Sequence, residues 1–317
     1  MYYSPLAMHI PDGFLSVAVS VVLWLCSAAA IFFALRIVSR DLGEKDIPMM
    51  GVLAAAIFAG QMLNFSVTGG TSGHLLGAAL ATILLGPWPA VLVMTSVVGI
   101  QALIFQDGGL LALGANLFTM AVIGPAVSYF VYTTIQKLAA GKKWGVFAGG
   151  FLAGSISVFI ASLGVALMLA VSGTSPANIA VPAMAGIHTL IGIGEGLITT
   201  GALAFLFAAR PDLLKSRKGT GKSTIWVGGL VIAGILAIIS PLASANPDGL
   251  EWVAEEKGFI DTAQGSLYNI IPDYVVPGIS NEAIATILAG LVGVLIVAGS
   301  MLAVSLIKNN NAINHGE

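Results

Sequence analysis

The sequence predicts an all-α fold, a polytopic helical membrane protein of about nine transmembrane segments. Three observations predict it. Of 317 residues, 57% are hydrophobic and only 9% are charged, against about 25% charged in soluble domains. The apolar residues gather into runs near the roughly 20 residues that a helix needs to cross a bilayer core. When nine such runs alternate across a membrane, twelve of the 13 basic residues fall on one side, as cytoplasmic loops require.

In chain order the segments read Ser16 to Ile37, Ile47 to Phe65, a short one at His74 to Leu85, and Pro87 to Phe105. Then come Leu110 to Ile135, Trp144 to Val171, Ala177 to Ala208, Ile225 to Leu242 and Asn281 to Ile307. With the N-terminus outside, Arg36, Arg40, Lys45, Lys137, Lys142, Lys143, Arg210, Lys215, Arg217, Lys218, Lys222 and Lys308 are inside, and only Lys257 is outside. If the short third segment failed to cross, every later charge would invert and the asymmetry would vanish. The sequence therefore predicts that it crosses.

The first seven residues hold neither a positive stretch nor an apolar run of the kind that makes a secretory signal. Residues 8–209 form a predicted seven-span membrane domain, residues 210–224 a basic cytoplasmic linker, and residues 225–308 a two-span unit. That unit holds an outer loop, Ser244 to Ser280, with Asp248, Glu251, Glu255, Glu256, Asp261 and Asp273 against one lysine. The loop reads as solvated, and its field would draw cations toward the mouth.

Several chemistries are excluded. A net charge of −2 offers nothing to nucleic acid. One cysteine, Cys26, permits neither an intramolecular disulfide nor a multi-cysteine metal cluster. The stretch Lys218 to Thr224 ends like a phosphate-binding loop, but Ser216 stands where its first glycine belongs and no strand precedes it. No HExxH pattern occurs.

Of four histidines, His315 sits in a polar tail, whereas His9, His74 and His188 lie in or beside apolar segments. Ionisable groups there are costly and mark function by default. His9 and His74 fall on the same outer side, the latter closing the glycine-rich stretch Thr68 to His74. Two imidazoles at one depth can share a transition metal or serve separately as caps. Met8 adds to this. In a chain that begins there, the Met8 amine, the His9 amide and the His9 ring Nδ1 make two fused chelate rings. A histidine from elsewhere completes a square of four nitrogens, the preference of Ni(II) or Cu(II) over zinc. Asn64 is the expected hydrogen-bond partner behind His74. His188 and Glu195 lie two turns apart on one helix face, suited to gating or to a contact within the bundle or with a partner.

The stretches MHIPDGFLS, TGGTSGHLLG and GIHTLIGIGEGL resemble the CbiM/NikM family, the substrate-binding membrane components of energy-coupling-factor transporters for cobalt and nickel. NPDGLE at Asn246 to Glu251 resembles the small CbiN/NikN partner, so the chain looks like a fusion of both. The resemblance implies that Met8, His9 and His74 hold the ion, and that residues 1–7 are a mis-assigned or removed extension. It implies an ATP-driven system with a transmembrane coupling subunit and separate ATPases, a multi-pass prokaryotic cell-membrane location, lipid contact, no nucleic-acid partner and no cofactor. The transported ligand would be Ni(II) or Co(II), with nickel favoured by the MHIPDG form and the fusion. Two rivals remain open: a stand-alone proton-coupled metal transporter using His188 and Glu195, and an intramembrane metalloenzyme, for which no acid near His74 serves as base.

Overall fold

The computed structural model describes residues 8–41, 47–209 and 224–314. The extension 1–7, most of the basic linker with its phosphate-loop-like stretch, and His315 lie outside the described residues.

The described chain is dominated by helices. They are α1 (Val17–Asp41), α2 (Ile47–Gln61), α3 (Ala78–Leu85), α4 (Pro87–Ile104), α5 (Leu113–Leu117), α6 (Gly124–Leu138), α7 (Trp144–Ser172) and α8 (Ala177–Ala209). After the linker come α9 (Thr224–Ile239), α10 (Gly249–Lys257) and α11 (Glu282–Asn314). Among the described residues, six helices are long and apolar enough to cross a membrane, counting residues 113–138 as one, and residues 47–61 and 227–242 form shorter apolar helices. The outward faces are apolar as well. Leu25, Phe32, Phe33, Phe130, Leu167 and Leu197 are all exposed, which water would penalise and lipid would not.

Helices without a hydrophobic drive between them associate through close packing, which favours small residues at the seam. α7 and α8 meet this way: a Cβ at Gly192 would stand 2.8 Å from the Ser155 carbonyl oxygen, and one at Gly196 would stand 2.7 Å from that of Phe151. The C-terminal pair docks on α2 by the same device. A Cβ at Gly51 would lie 2.9 Å from the Ala298 carbonyl oxygen of α11. α2 is thus enclosed by α4, α9 and α11.

Several predicted boundaries move, three of them near the site or in the segments around it. The second helix ends at Gln61 rather than Phe65, because residues 65–73 fold as a hairpin of β1 (Phe65–Val67) and β2 (Thr71–Gly73). The third helix starts at Ala78, not His74. Gly77 takes φ +79°, and a Cβ there would strike Ile57 at 2.6 Å. A left-handed glycine interrupts the helical path, so His74 stands on irregular backbone. α3 is eight residues long, about 12 Å, and protein covers Ala78, Ala79, Ala81 and Thr82. The fifth predicted segment divides into α5 and α6 around a π-helical turn, Phe118–Ile123, and runs on to Leu138.

Candidate metal site

The segment from Met8 to Gly13 is threaded into the protein. Asn116 holds the Ile10 peptide on both sides, its Oδ1 accepting from the Ile10 N–H at 3.0 Å and its Nδ2 donating to the Ile10 carbonyl at 3.1 Å. Asp12 accepts the Ala112 N–H at 2.9 Å, and its carbonyl accepts from Gln264 at 2.7 Å. Gly13 has φ +93°, and a Cβ there would fall 2.0 Å from the Thr262 carbonyl oxygen. These bonds fix where His9 stands.

His9 is buried, with Nδ1 2.8 Å from Asp107 Oδ1. Its Nε2 has no hydrogen-bond partner among the described residues. The His74 ring lies 5.7 Å away, centroid to centroid, at 58°, and Met8 lines the same cavity. His74 Nδ1 sits 3.0 Å from the Leu75 carbonyl oxygen. With the proton on Nδ1, Nε2 offers its lone pair to a metal, the usual arrangement of a ligating histidine. Asn64 is not that partner. It borders a different cavity, and the local carbonyl of Leu75 takes Nδ1.

Glu195 is completely buried on α8. Its two carboxylate oxygens accept the N–H groups of Leu76 at 2.6 Å and Gly77 at 3.0 Å. Gln61 Nε2 donates to the Leu76 carbonyl at 2.8 Å. The turn that follows His74 is therefore pinned from two helices. Glu195→Ala would strand two buried N–H groups, so we expect a loss of about 2–4 kcal/mol, read as a lower melting temperature in detergent. His188, two turns earlier on α8, lines the same cavity as His9 and His74 and places Nδ1 2.9 Å from the Met184 carbonyl oxygen.

The C-terminal unit closes over this arrangement. Ser72 donates its N–H to the Pro247 carbonyl and its hydroxyl to the Asn246 carbonyl, both at 2.8 Å. Asp248 caps α10 by accepting the Glu251 N–H at 2.7 Å. A Cβ at Gly249 would lie 2.6 Å from Ile191 Cδ1 and 3.0 Å from His188 Cε1, so a larger residue there would displace these α8 side chains at the cavity.

Two cavities meet at the site. The inner one, about 100 Å³, is lined by Met8, His9, His74, Asn116, His188 and Asp248 among others. It has room for an ion and a few waters, each of about 30 Å³. The outer one, about 520 Å³, also touches Met8 and Asp248 and carries Asp107, Glu251, Glu255 and Asp273 on its walls. Burial, the largest single influence, would lower the His9 pKa, but the Asp107 charge and hydrogen bonds together with the Asp248 charge outweigh it and the net direction is upward. Burial, again the largest single influence, would raise Asp107, and the His9 charge, the hydrogen bonds from His9 and Tyr274 and the His74 charge together outweigh it, holding the carboxyl below its usual value. Both directions describe one ion pair. Asp248 has no such partner at hand, and burial pushes it up to about 7.

Among the described residues, no three His, Cys, Asp or Glu side chains form a metal-holding group. Asp107, Asn116 and Tyr274 were missed by sequence reasoning. Asp107 had a signal, as an acid at the end of an apolar segment, but nothing in the sequence pairs it with His9.

Similarity to known proteins follows the same division. A family model described as a cobalt uptake substrate-specific transmembrane region matches residues 9–213, and a PDGLE domain model matches residues 223–310. The chain is 36% identical over 296 residues to a putative fused nickel transport protein NikMN of Archaeoglobus fulgidus, covering 92% of this chain and 95% of that one. It is 32% identical to the fused nickel transport protein NikMN of Rhodobacter capsulatus, covering 94% and 98%. A crystal structure of a transition metal transporter, 33% identical, aligns with a TM-score of 0.57 over 65% of this chain and 96% of that chain. The protein is therefore a multi-pass membrane member of the cobalt-uptake substrate-specific transmembrane family, with a PDGLE domain joined to its C-terminal side.

Proposed function

We propose that this chain is the capture subunit of an ATP-driven energy-coupling-factor uptake system for Ni(II), with Co(II) as the alternative cargo. The observation that carries the proposal is the meeting of Met8, His9 and His74 at one small cavity. Four nitrogens would hold the ion: the Met8 amine, the His9 amide, the His9 ring and His74. The lack of a three-side-chain metal group among the described residues supports main-chain donors. Chelation through Nδ1 needs the His9 ring to make a half-turn about χ2, which moves Nε2 to the edge that faces Asp107. The turn puts Cδ2 where Nδ1 stands 2.8 Å from Asp107 and Nε2 where Cε1 stands, so a bond from Nε2 to Asp107 needs a small further shift of the carboxylate. A square of nitrogens suits Ni(II) and disfavours ions that prefer tetrahedral or all-oxygen surroundings.

In this reading residues 1–7 are absent from the working protein, because an attached extension converts the Met8 amine into an amide. Residues 8–209 bind the ion, residues 225–308 act as the partner unit, and nine crossings place the N-terminus outside. Both relatives are named as nickel transport proteins, which supports the cargo, and the cobalt-uptake family supports the alternative. The chain supplies binding and no catalysis; energy comes from separate ATPases through a coupling subunit.

Expression with the neighbouring transporter genes and purification through this chain tests the reading. Recovery of ATPase subunits, with nickel uptake that stops when ATP is depleted, is expected. Uptake by this chain alone that follows the proton gradient would favour the stand-alone transporter and overturn the capture role.

A further inference from the structure

We propose that Tyr274 is a positioning residue for the metal site, acting on His9 through Asp107. The inference rests on the reading that His9 is a ligand. The Tyr274 hydroxyl donates to Asp107 Oδ2 at 2.5 Å, while Asp107 Oδ1 stands 2.8 Å from His9 Nδ1. All three residues are more than nine-tenths buried. A carboxylate rotates broadly about its last torsion. Tying one oxygen to the tyrosine fixes the plane and aims the other oxygen at the imidazole.

The tyrosine is itself held for this. Its ring stacks on Phe105 at 4.8 Å and 14°. The Ile271 and Asp273 N–H groups each donate at 3.1 Å to the carbonyls of Ile104 and Phe105, which end α4 and follow it. The backbone there is strained. Asp273 and Tyr274 are consecutive non-glycine residues at φ 55° and 58°. Such a conformation costs energy and persists where the surroundings demand it. What it delivers is the hydroxyl, from the PDGLE-containing unit, to a carboxylate at the outer end of α4. The C-terminal unit thereby sets the orientation of a ligand at the other end of the chain.

Groups that orient a ligating histidine change metal affinity by about 10- to 100-fold when removed. The test measures Ni(II) dissociation constants for the purified full chain, Tyr274→Phe, Asp107→Asn and the double variant. Tyr274→Phe keeps the stacked ring and loses only the hydroxyl. We expect it to weaken binding about tenfold in the unchanged chain and to add nothing in the Asp107→Asn background. Unchanged affinity, or an equal loss in both backgrounds, would overturn the proposal, since a general packing defect acts with or without Asp107. His9→Ala separates the two levels: undiminished binding there refutes the ligand assignment, whereas lost binding there with a silent Tyr274→Phe refutes the relay alone.

Discussion

His74→Ala is expected to lower nickel affinity by more than about 100-fold, beyond what loss of a supporting group costs. The other three proposed nitrogens lie on consecutive residues, Met8 and His9, so His74 alone completes the square. Its ring stands beside His9, and its hairpin is set by contacts that the ring does not make: Ser72 on Asn246 and Pro247, and Leu76 and Gly77 on Glu195. The ring's hydrogen bond is to the adjacent Leu75 carbonyl, and losing one such bond costs about 1 kcal/mol net. The variant should therefore fold, and a nickel titration beside a thermal melt reads affinity separately from stability. Unchanged affinity would remove His74 from the site. Unchanged affinity together with a loss in His188→Ala would place the fourth nitrogen on α8, since His188 lines the same cavity.

The helices were legible because the signal is large: apolar runs of bilayer length and a one-sided distribution of lysine and arginine. Boundaries were not. The stretch from Phe65 to Gly77 looks like the end of one helix, a loop and the start of another. Its hairpin depends on docking to Pro247, and its late helix start depends on Ile57 crowding Gly77, contacts that no local pattern contains. Of the site, His9 and His74 were readable as histidines at one depth, and the structure brings them together. Glu195 was readable only as an acid inside an apolar helix; its bonds to Leu76 and Gly77 tie positions far apart in the chain. The same holds for Asp107 and Tyr274, separated by 167 positions. Asn64 shows the opposite error, in which sequence nearness to His74 stood in for a contact that Leu75 makes instead.

The second large effect concerns the chain end. Blocking the Met8 amine removes one nitrogen and also lowers the acidity that the metal needs from the His9 amide, because the fused rings form together. Ion binding to such ligands requires them deprotonated, and an amide gives up its proton only when its neighbours already hold the metal. We therefore expect loss of the whole chelate, more than about 100-fold in affinity, rather than the partial weakening of one missing contact. Two preparations make the test: the chain beginning at Met8, and that chain with its amine acetylated, each titrated with Ni(II) and examined for the magnetism of the bound ion. The account predicts tight binding of a diamagnetic, square-planar nickel to the first and its loss in the second. Equal affinity in both, or a paramagnetic six-coordinate ion in the first, would contradict it.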